Sequence, residues 1–260
     1  MGTFIGIISG TLILFYAALD QGGARLFLNL HAAMIVIGGL TAALFISYPL
    51  PTVIRVFGVL QHIFRREIES PSWVITLMVR LAKVARQHTL LKLDDEAQQI
   101  QDKTIRLGVS MVVDGHPPEV IREVLEVEIA SMRARHRAGE RIFRAAARLA
   151  PAFGLVGTLI GLIAMLRSLG PGSAQSVGPG MAVAMVATFY GVMLSNLLFQ
   201  PVAEKLRARS EAEALRSQII LDGILMVQAG THPRVIELRL NAYLPLGQSR
   251  KENEGGPREA

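Results

Sequence analysis

Thr158 sits in a glycine setting. PAFGLVGTLIGLIAML, residues 151–166, holds Gly154, Gly157, Thr158 and Gly161 at steps of three and four, which on a helix make one narrow stripe. A second stripe runs through MAVAMVATFYGVMLSNLLFQP as Ala184, Thr188, Gly191 and Ser195. Small residues at these steps let helix backbones approach closely, and a Ser or Thr there can bond back to a carbonyl one turn earlier. The same residues have a second chemistry open to them, because hydroxyl and carbonyl oxygens lining a lumen can coordinate a cation. A short connector, SLGPGSAQSVGPG, joins the two stretches, so they form a hairpin whose stripes can face one lumen.

The elements that carry these residues are membrane helices. The chain has 260 residues, 51% of them hydrophobic and only 18% charged, which is too apolar for an ordinary soluble domain. Four apolar windows stand out, at about 2–19, 29–49, 152–169 and 179–200. Each has about the 17–25 residues that a helix needs to cross a bilayer. None contains Lys, Asp or Glu, and Arg167 lies at an end, where it can snorkel. The first window lacks the positive lead of a cleaved signal peptide and is expected to be retained. Its Gly2, Gly6 and Gly10 make a packing face.

Orientation follows from the cations. Of 27 Lys and Arg, 16 lie between residues 50 and 150 and nine after residue 200, leaving Arg25 and Arg167 for the two short connectors. The positive-inside rule therefore places residues 50–150 and the tail in the cytoplasm, with both termini cytoplasmic. The expected architecture is an all-α membrane protein with four spans. It comprises a hairpin at 1–49, a helical cytoplasmic domain at 50–150, a second hairpin at 151–200, a helical cytoplasmic tail at 201–246, and a disordered tail at 247–260. Ser70 before a proline reads as a helix cap, a helical segment runs from about Asp94 to Val113, and DGHPP (114–118) is a break. From Glu119 one helical pattern continues to about Leu169, roughly 75 Å at 1.5 Å per residue, so the third span extends far into the cytoplasm. A kink is expected where it meets the membrane at Pro151. The fourth span leaves through Pro201 into an amphipathic helix ending near Gly230.

Several function classes find no support. There is no glycine-rich phosphate loop, no GxSxG and no histidine pair at metal spacing, so no enzyme signature and no cofactor site is apparent. His31, at the border of the second window, reads as an interfacial histidine more readily than as a proton relay. The cytoplasmic arginines alternate with glutamates, and Trp73 is the single tryptophan. That pattern suits a solvated, salt-bridged surface and no nucleic-acid partner. An ion path across a membrane normally needs an ionisable group in mid-span, and apart from His31 and Arg167 at window ends the four windows hold no Asp, Glu, Lys, Arg or His. If ions move here, the carboxylate comes from another chain.

Several stretches resemble a known family. PAFGLVGTLIGLIAML and MAVAMVATFYGVMLSNLLFQPVAEKL are similar to the third and fourth spans of the MotA/PomA stator subunits, within the wider MotA–TolQ–ExbB group. GGLTAALFISYP (38–49) resembles the second span, ARQHTLLKLDDEA the cytoplasmic loop segment, and VVDGHPPEVIREVLEVEI the start of the long helix. The resemblance covers nearly all of the chain to about residue 206. It implies a flagellar motor stator in the bacterial inner membrane, with five copies ringed around a peptidoglycan-anchored partner of the MotB/PomB type. That partner's membrane Asp would supply the missing carboxylate, and ion flow would turn the ring against the rotor's FliG-type switch protein. Pro151 and Pro201 match the family prolines tied to coupling. Arg86 and Asp94 match its rotor-contacting charges, although the family usually has Glu at the second position. Thr158 and Thr188 match positions lining the ion path, and two threonines there resemble the sodium-driven members, with Na+ favoured over H+ as the transported cation. Gly154, Gly157, Gly161 and Gly191 would serve helix packing. A TolQ/ExbB-like energiser of another envelope process is the alternative within the group, and a passive membrane scaffold the alternative outside it.

Overall fold

The computed structural model describes residues 6, 9, 10, 12, 16, 27–56, 70–87, 90–168 and 177–244, and every regular element among them is helical. In chain order these are α1 (Leu30–Ser47), α2 (Pro71–Gln87), α3 (Leu90–Gln98), α4 (Lys103–Val113), α5 (Pro118–Arg167), α6 (Val177–Gln228) and α7 (Pro233–Asn241). Residues 50–56 are also helical. Three of these helices, α1, α5 and α6, are long and apolar enough to cross a membrane. They carry the second, third and fourth windows. The first window lies outside the described residues apart from five positions, and the tail at 247–260 lies outside them entirely.

Local chemistry sets the helix ends. α1 stops at Ser47 because Tyr48, the residue before Pro49, takes an extended conformation. Ser70 caps α2 by accepting from the Trp73 amide at 3.2 Å, with Pro71 in the first helical position. α4 closes in a Schellman turn: Gly115 adopts φ +74°, its amide reaches the Val112 carbonyl, and the His116 amide reaches Met111. Pro118 then opens α5. α6 ends in the same way, with Gly230 at φ +66° and the Thr231 amide on the Met226 carbonyl.

The helix expected from Asp94 to Val113 is broken in two. Asp102 is extended and accepts from the amides of Thr104 and Ile105, so its carboxylate starts a new helix instead of continuing the old one. α7, which the sequence reading did not resolve as a separate helix, begins at Pro233 behind His232, whose Nδ1 accepts from the Arg234 amide at 3.3 Å. Two stretches widen from α to π geometry: Met34–Gly38 in α1 and Leu194–Phe199 in α6.

The chain forms two compact units. Residues 66–135 and 208–260 make one, with a closed apolar core that includes Val74, Met78, Leu81, Leu93, Ile105, Leu125, Ile220 and Ile224. Within it Arg216 pairs with Asp102, so one carboxylate both caps α4 and neutralises a largely buried guanidinium. At Gly223 the packing is tight: a Cβ would lie 2.5 Å from the Met78 side chain, which would have to move to admit it.

Residues 1–65 and 136–207 make the other unit. It packs α1, residues 50–56, the later part of α5 and the earlier part of α6. One cluster gathers Leu40, Leu44, Phe143, Ala146, Ala150, Phe199 and Ala203, and a second joins Ala32 and Val36 to Val186 and Ala187. Its outer faces are apolar as well, with Leu159 61% and Ile163 58% exposed. In water such exposure would forgo about 25 cal/mol per Å² of apolar surface, whereas lipid tails solvate it at no cost.

Candidate functional site

The two small-residue stripes meet. α5 and α6 approach backbone to backbone along Gly154, Gly157 and Gly161. A Cβ on Gly161 would stand 2.6 Å from both the Ala184 nitrogen and the Gly180 oxygen. On Gly157 it would lie 2.4 Å from the Ala187 Cβ, and on Gly154 3.1 Å from the Ala187 oxygen. Gly191 answers from the other side, where a Cβ would come within 2.6 Å of the Ala150 oxygen. At Gly157, Gly161 and Gly191 an added Cβ would have to displace the opposing helix, and at Gly154 it would be tight.

Two threonines face each other across this contact. The Thr158 and Thr188 hydroxyl oxygens are 2.6 Å apart, and both side chains are partly buried. Thr158 Oγ1 donates to the Gly154 carbonyl at 3.0 Å, and Thr188 Oγ1 lies 3.5 Å from that carbonyl and from that of Ala184. Each hydroxyl has one proton and two lone pairs. If Thr158 gives its proton to Gly154, Thr188 gives its own to Thr158 and keeps both lone pairs for a further ligand. Three oxygens of different kinds, two hydroxyl and one carbonyl, thus converge on one spot between two membrane-length helices.

The surrounding contacts fix this hairpin against α1. Asn29 caps α1 by accepting from the Ala32 amide at 3.0 Å. The Tyr190 hydroxyl accepts from the Asn29 amide at 3.3 Å and donates to the Phe27 carbonyl. Phe153 packs against Gly39, where a Cβ would fall 2.3 Å from the ring. His31 is exposed on α1.

Both prolines lie inside helices, Pro151 in α5 and Pro201 in α6, and each helix continues through its proline. A proline has no amide proton, so at Pro151 the carbonyl of Ala147 loses its helical donor. The buried Ser195 hydroxyl on α6 donates to that same Ala147 carbonyl at 2.6 Å. Ser195 entered the sequence reading only as one member of a packing stripe. The signal was present in principle, since a proline always frees the carbonyl four residues earlier, but the register of α6 against α5 is not written in either segment.

Arg86 and Asp94 belong to the other unit. Arg86 is exposed near the end of α2, beside Lys83, His232 and Arg234, and Asp94 accepts from Gln98 Nε2 at 2.8 Å. Among the described residues no ion pair joins Arg86 to Asp94; the pair linking α2 to α3 is Arg80 with Glu96, at 2.5 Å. Arg86 and Asp94 are therefore separate charges. The described residues also hold no cluster of three or more His, Cys, Asp or Glu that could bind a metal.

Known proteins are similar to this chain in sequence and in overall fold. Residues 96–219 match the model of the MotA/TolQ/ExbB proton channel family. The chain is 40% identical over 232 residues to motility protein A of Borreliella burgdorferi, covering 89% of this chain and 88% of that one. It is 38% identical over 260 residues to the uncharacterised protein YtxD of Bacillus subtilis, covering 99% and 93%. Its fold superposes on a chain of the flagellar MotAB stator complex from Bacillus subtilis with a TM-score of 0.87 at 30% identity, covering 97% and 98%.

Proposed function

The chain belongs to the MotA/TolQ/ExbB proton channel family as a flagellar stator subunit of the motility protein A type, and on that premise we propose that it couples cation flow to torque. The observation that carries this reading is the Thr158–Thr188 contact over the Gly154 carbonyl. A cation stripped of water needs oxygen ligands, and three oxygens are gathered at this contact.

Sodium is favoured over the proton. A desolvated sodium ion takes several oxygen ligands, whereas a proton needs only a relay. The family's description as a proton channel supports the other choice. The missing ligands, and the negative charge that no described membrane segment supplies, come from a MotB/PomB-type subunit anchored to peptidoglycan. In this reading five copies of the chain surround that partner in the inner membrane, with residues 50–150, the tail at 201–246 and both termini in the cytoplasm. Pro151 and Pro201 act as joints between ion site and cytoplasmic lever, and Arg86 and Asp94 meet a FliG-type rotor protein.

The test is to express Thr158→Val and Thr188→Val with the partner subunit in a host lacking its own stators. Valine keeps the shape and removes the oxygen. Each variant is expected to abolish or severely slow swimming while assembling normally in the membrane. Wild-type swimming by both would refute the ion path through these hydroxyls, whereas no swimming even by the unmutated chain would support a non-conducting scaffold.

A further inference from the structure

We propose that Ser195 is the positioning residue of the Pro151 joint: its hydroxyl replaces the amide donor that the proline lacks, and so ties the joint in α5 to the position of α6. The inference rests on the coupling role proposed above for Pro151.

Four observations converge. Pro151 stands in the interior of a 50-residue helix, and its ring nitrogen cannot serve the Ala147 carbonyl. Ser195 donates to that carbonyl at 2.6 Å, and the residue is only 7% exposed, so water does not compete for the site. Gly191, one turn earlier on α6, sits directly against Ala150 and Pro151, where a Cβ would lie 2.6 Å from the Ala150 oxygen and 3.2 Å from the Pro151 Cα. Last, α6 turns from α to π geometry at Leu194, immediately before Ser195. A π turn carries an extra residue and changes which side chain faces the neighbouring helix, and such turns are frequent at functional sites.

The physical consequence is specific. An ordinary backbone bond at this place would belong to α5 alone and would be indifferent to α6. The Ser195 bond joins two helices, so a slide or rotation of α6 by about 1 Å takes it outside hydrogen-bonding range and leaves the Ala147 carbonyl unpaired. The state of the joint and the position of the fourth span are thereby linked. The Thr158–Thr188 contact lies on the same pair of helices, so a change at the ion site can be felt at Pro151 through α6.

A double-mutant cycle tests this. The complete complex with the partner subunit is purified for wild type, Ser195→Ala, Ser195→Thr, Pro151→Ala and Pro151→Ala/Ser195→Ala, and thermal unfolding is followed. Ser195→Ala should lower the apparent Tm by about 2–6 °C, because a buried carbonyl is orphaned. In the Pro151→Ala background the restored amide serves Ala147, and the same serine change should have little effect. An equal Tm loss in both backgrounds would overturn the replacement of the amide by the hydroxyl. This measurement needs no ion flow, so it stands apart from the proposed function.

Motor torque in the Pro151 background supplies the second readout. Ser195→Ala should cut torque several-fold at equal membrane level, and Ser195→Thr, which keeps the hydroxyl, should restore most of it. Wild-type torque in Ser195→Ala would overturn the positioning role even if the Tm cycle shows coupling.

Discussion

Gly161→Ala adds one carbon where the two membrane helices come closest. The new Cβ would stand 2.6 Å from two backbone atoms, the Ala184 nitrogen and the Gly180 oxygen, and 2.9 Å from the Ala184 Cβ. Ordinary contact begins near 3.4 Å, so the helices must part by about 3.4 − 2.6 = 0.8 Å. No rotamer change can relieve the clash, because both closest atoms are backbone. If the helices part evenly, the Thr158–Thr188 distance of 2.6 Å grows to about 3.4 Å, beyond O–H···O range. Overpacking costs about 1–3 kcal/mol, and the lost hydroxyl contact adds about 0.6 kcal/mol for an interhelical bond in a membrane. Replacing a helical glycine by alanine returns up to about 1 kcal/mol through propensity. Gly139→Ala on the same helix isolates that last effect, since a Cβ there meets nothing nearer than Val56 at 3.9 Å. The two variants should therefore differ in stability by about 2–4 kcal/mol, Gly161→Ala being the weaker. Denaturant or thermal unfolding of the purified complex measures the difference, and motility should be lost in Gly161→Ala alone. Equal stability of the two would refute the close packing of α5 on α6.

Other consequences concern the second unit. Asp102→Ala removes the cap of α4 together with the anion beside Arg216 and should cost about 2–4 kcal/mol, whereas Asp102→Asn keeps the cap and should cost less; equal losses would show that the cap contributes nothing. Tyr243 donates to Asp222, and that hydrogen bond, aided by burial and by the carboxylate's charge, holds the phenol above its ordinary pKa. Because the folded value is the higher one, this contribution is complete below the ordinary tyrosine value of about 10 and is lost as pH rises through the folded value. Asp222→Asn should move the phenol's absorbance titration toward that ordinary value and weaken the alkaline loss of stability; an unchanged titration would contradict it.

Much of this architecture is legible in residue order. The apolar windows at 29–49, 152–169 and 179–200 coincide with helices long enough to span a membrane, because length and hydropathy are local properties. Ser70, Gly115 and Gly230 punctuate the chain where their backbone chemistry says they should. The break at Asp102 was missed because an aspartate inside an amphipathic pattern reads equally well as a surface residue. The start of α7 was also missed, although His232 before Pro233 is a cap followed by a proline. What no single segment encodes is register between helices. The stripes announced that α5 and α6 would pack, but not that Thr158 would meet Thr188 or that Ser195 would reach Ala147. The π turns at Met34 and Leu194 were likewise invisible, since their sequences are ordinary helix formers under hydropathy alone.

The central claim is that a cation passes the Thr158–Thr188 contact and drives rotation. The most direct measurement is torque from tethered cells carrying this chain and its partner as their sole stator, with external sodium varied at fixed pH and with Thr158→Val alongside. The account predicts torque that rises and saturates with sodium, vanishes in its absence, and is lost in the variant at every concentration. Undiminished torque without sodium would end the sodium reading, and undiminished torque in Thr158→Val would contradict the site itself.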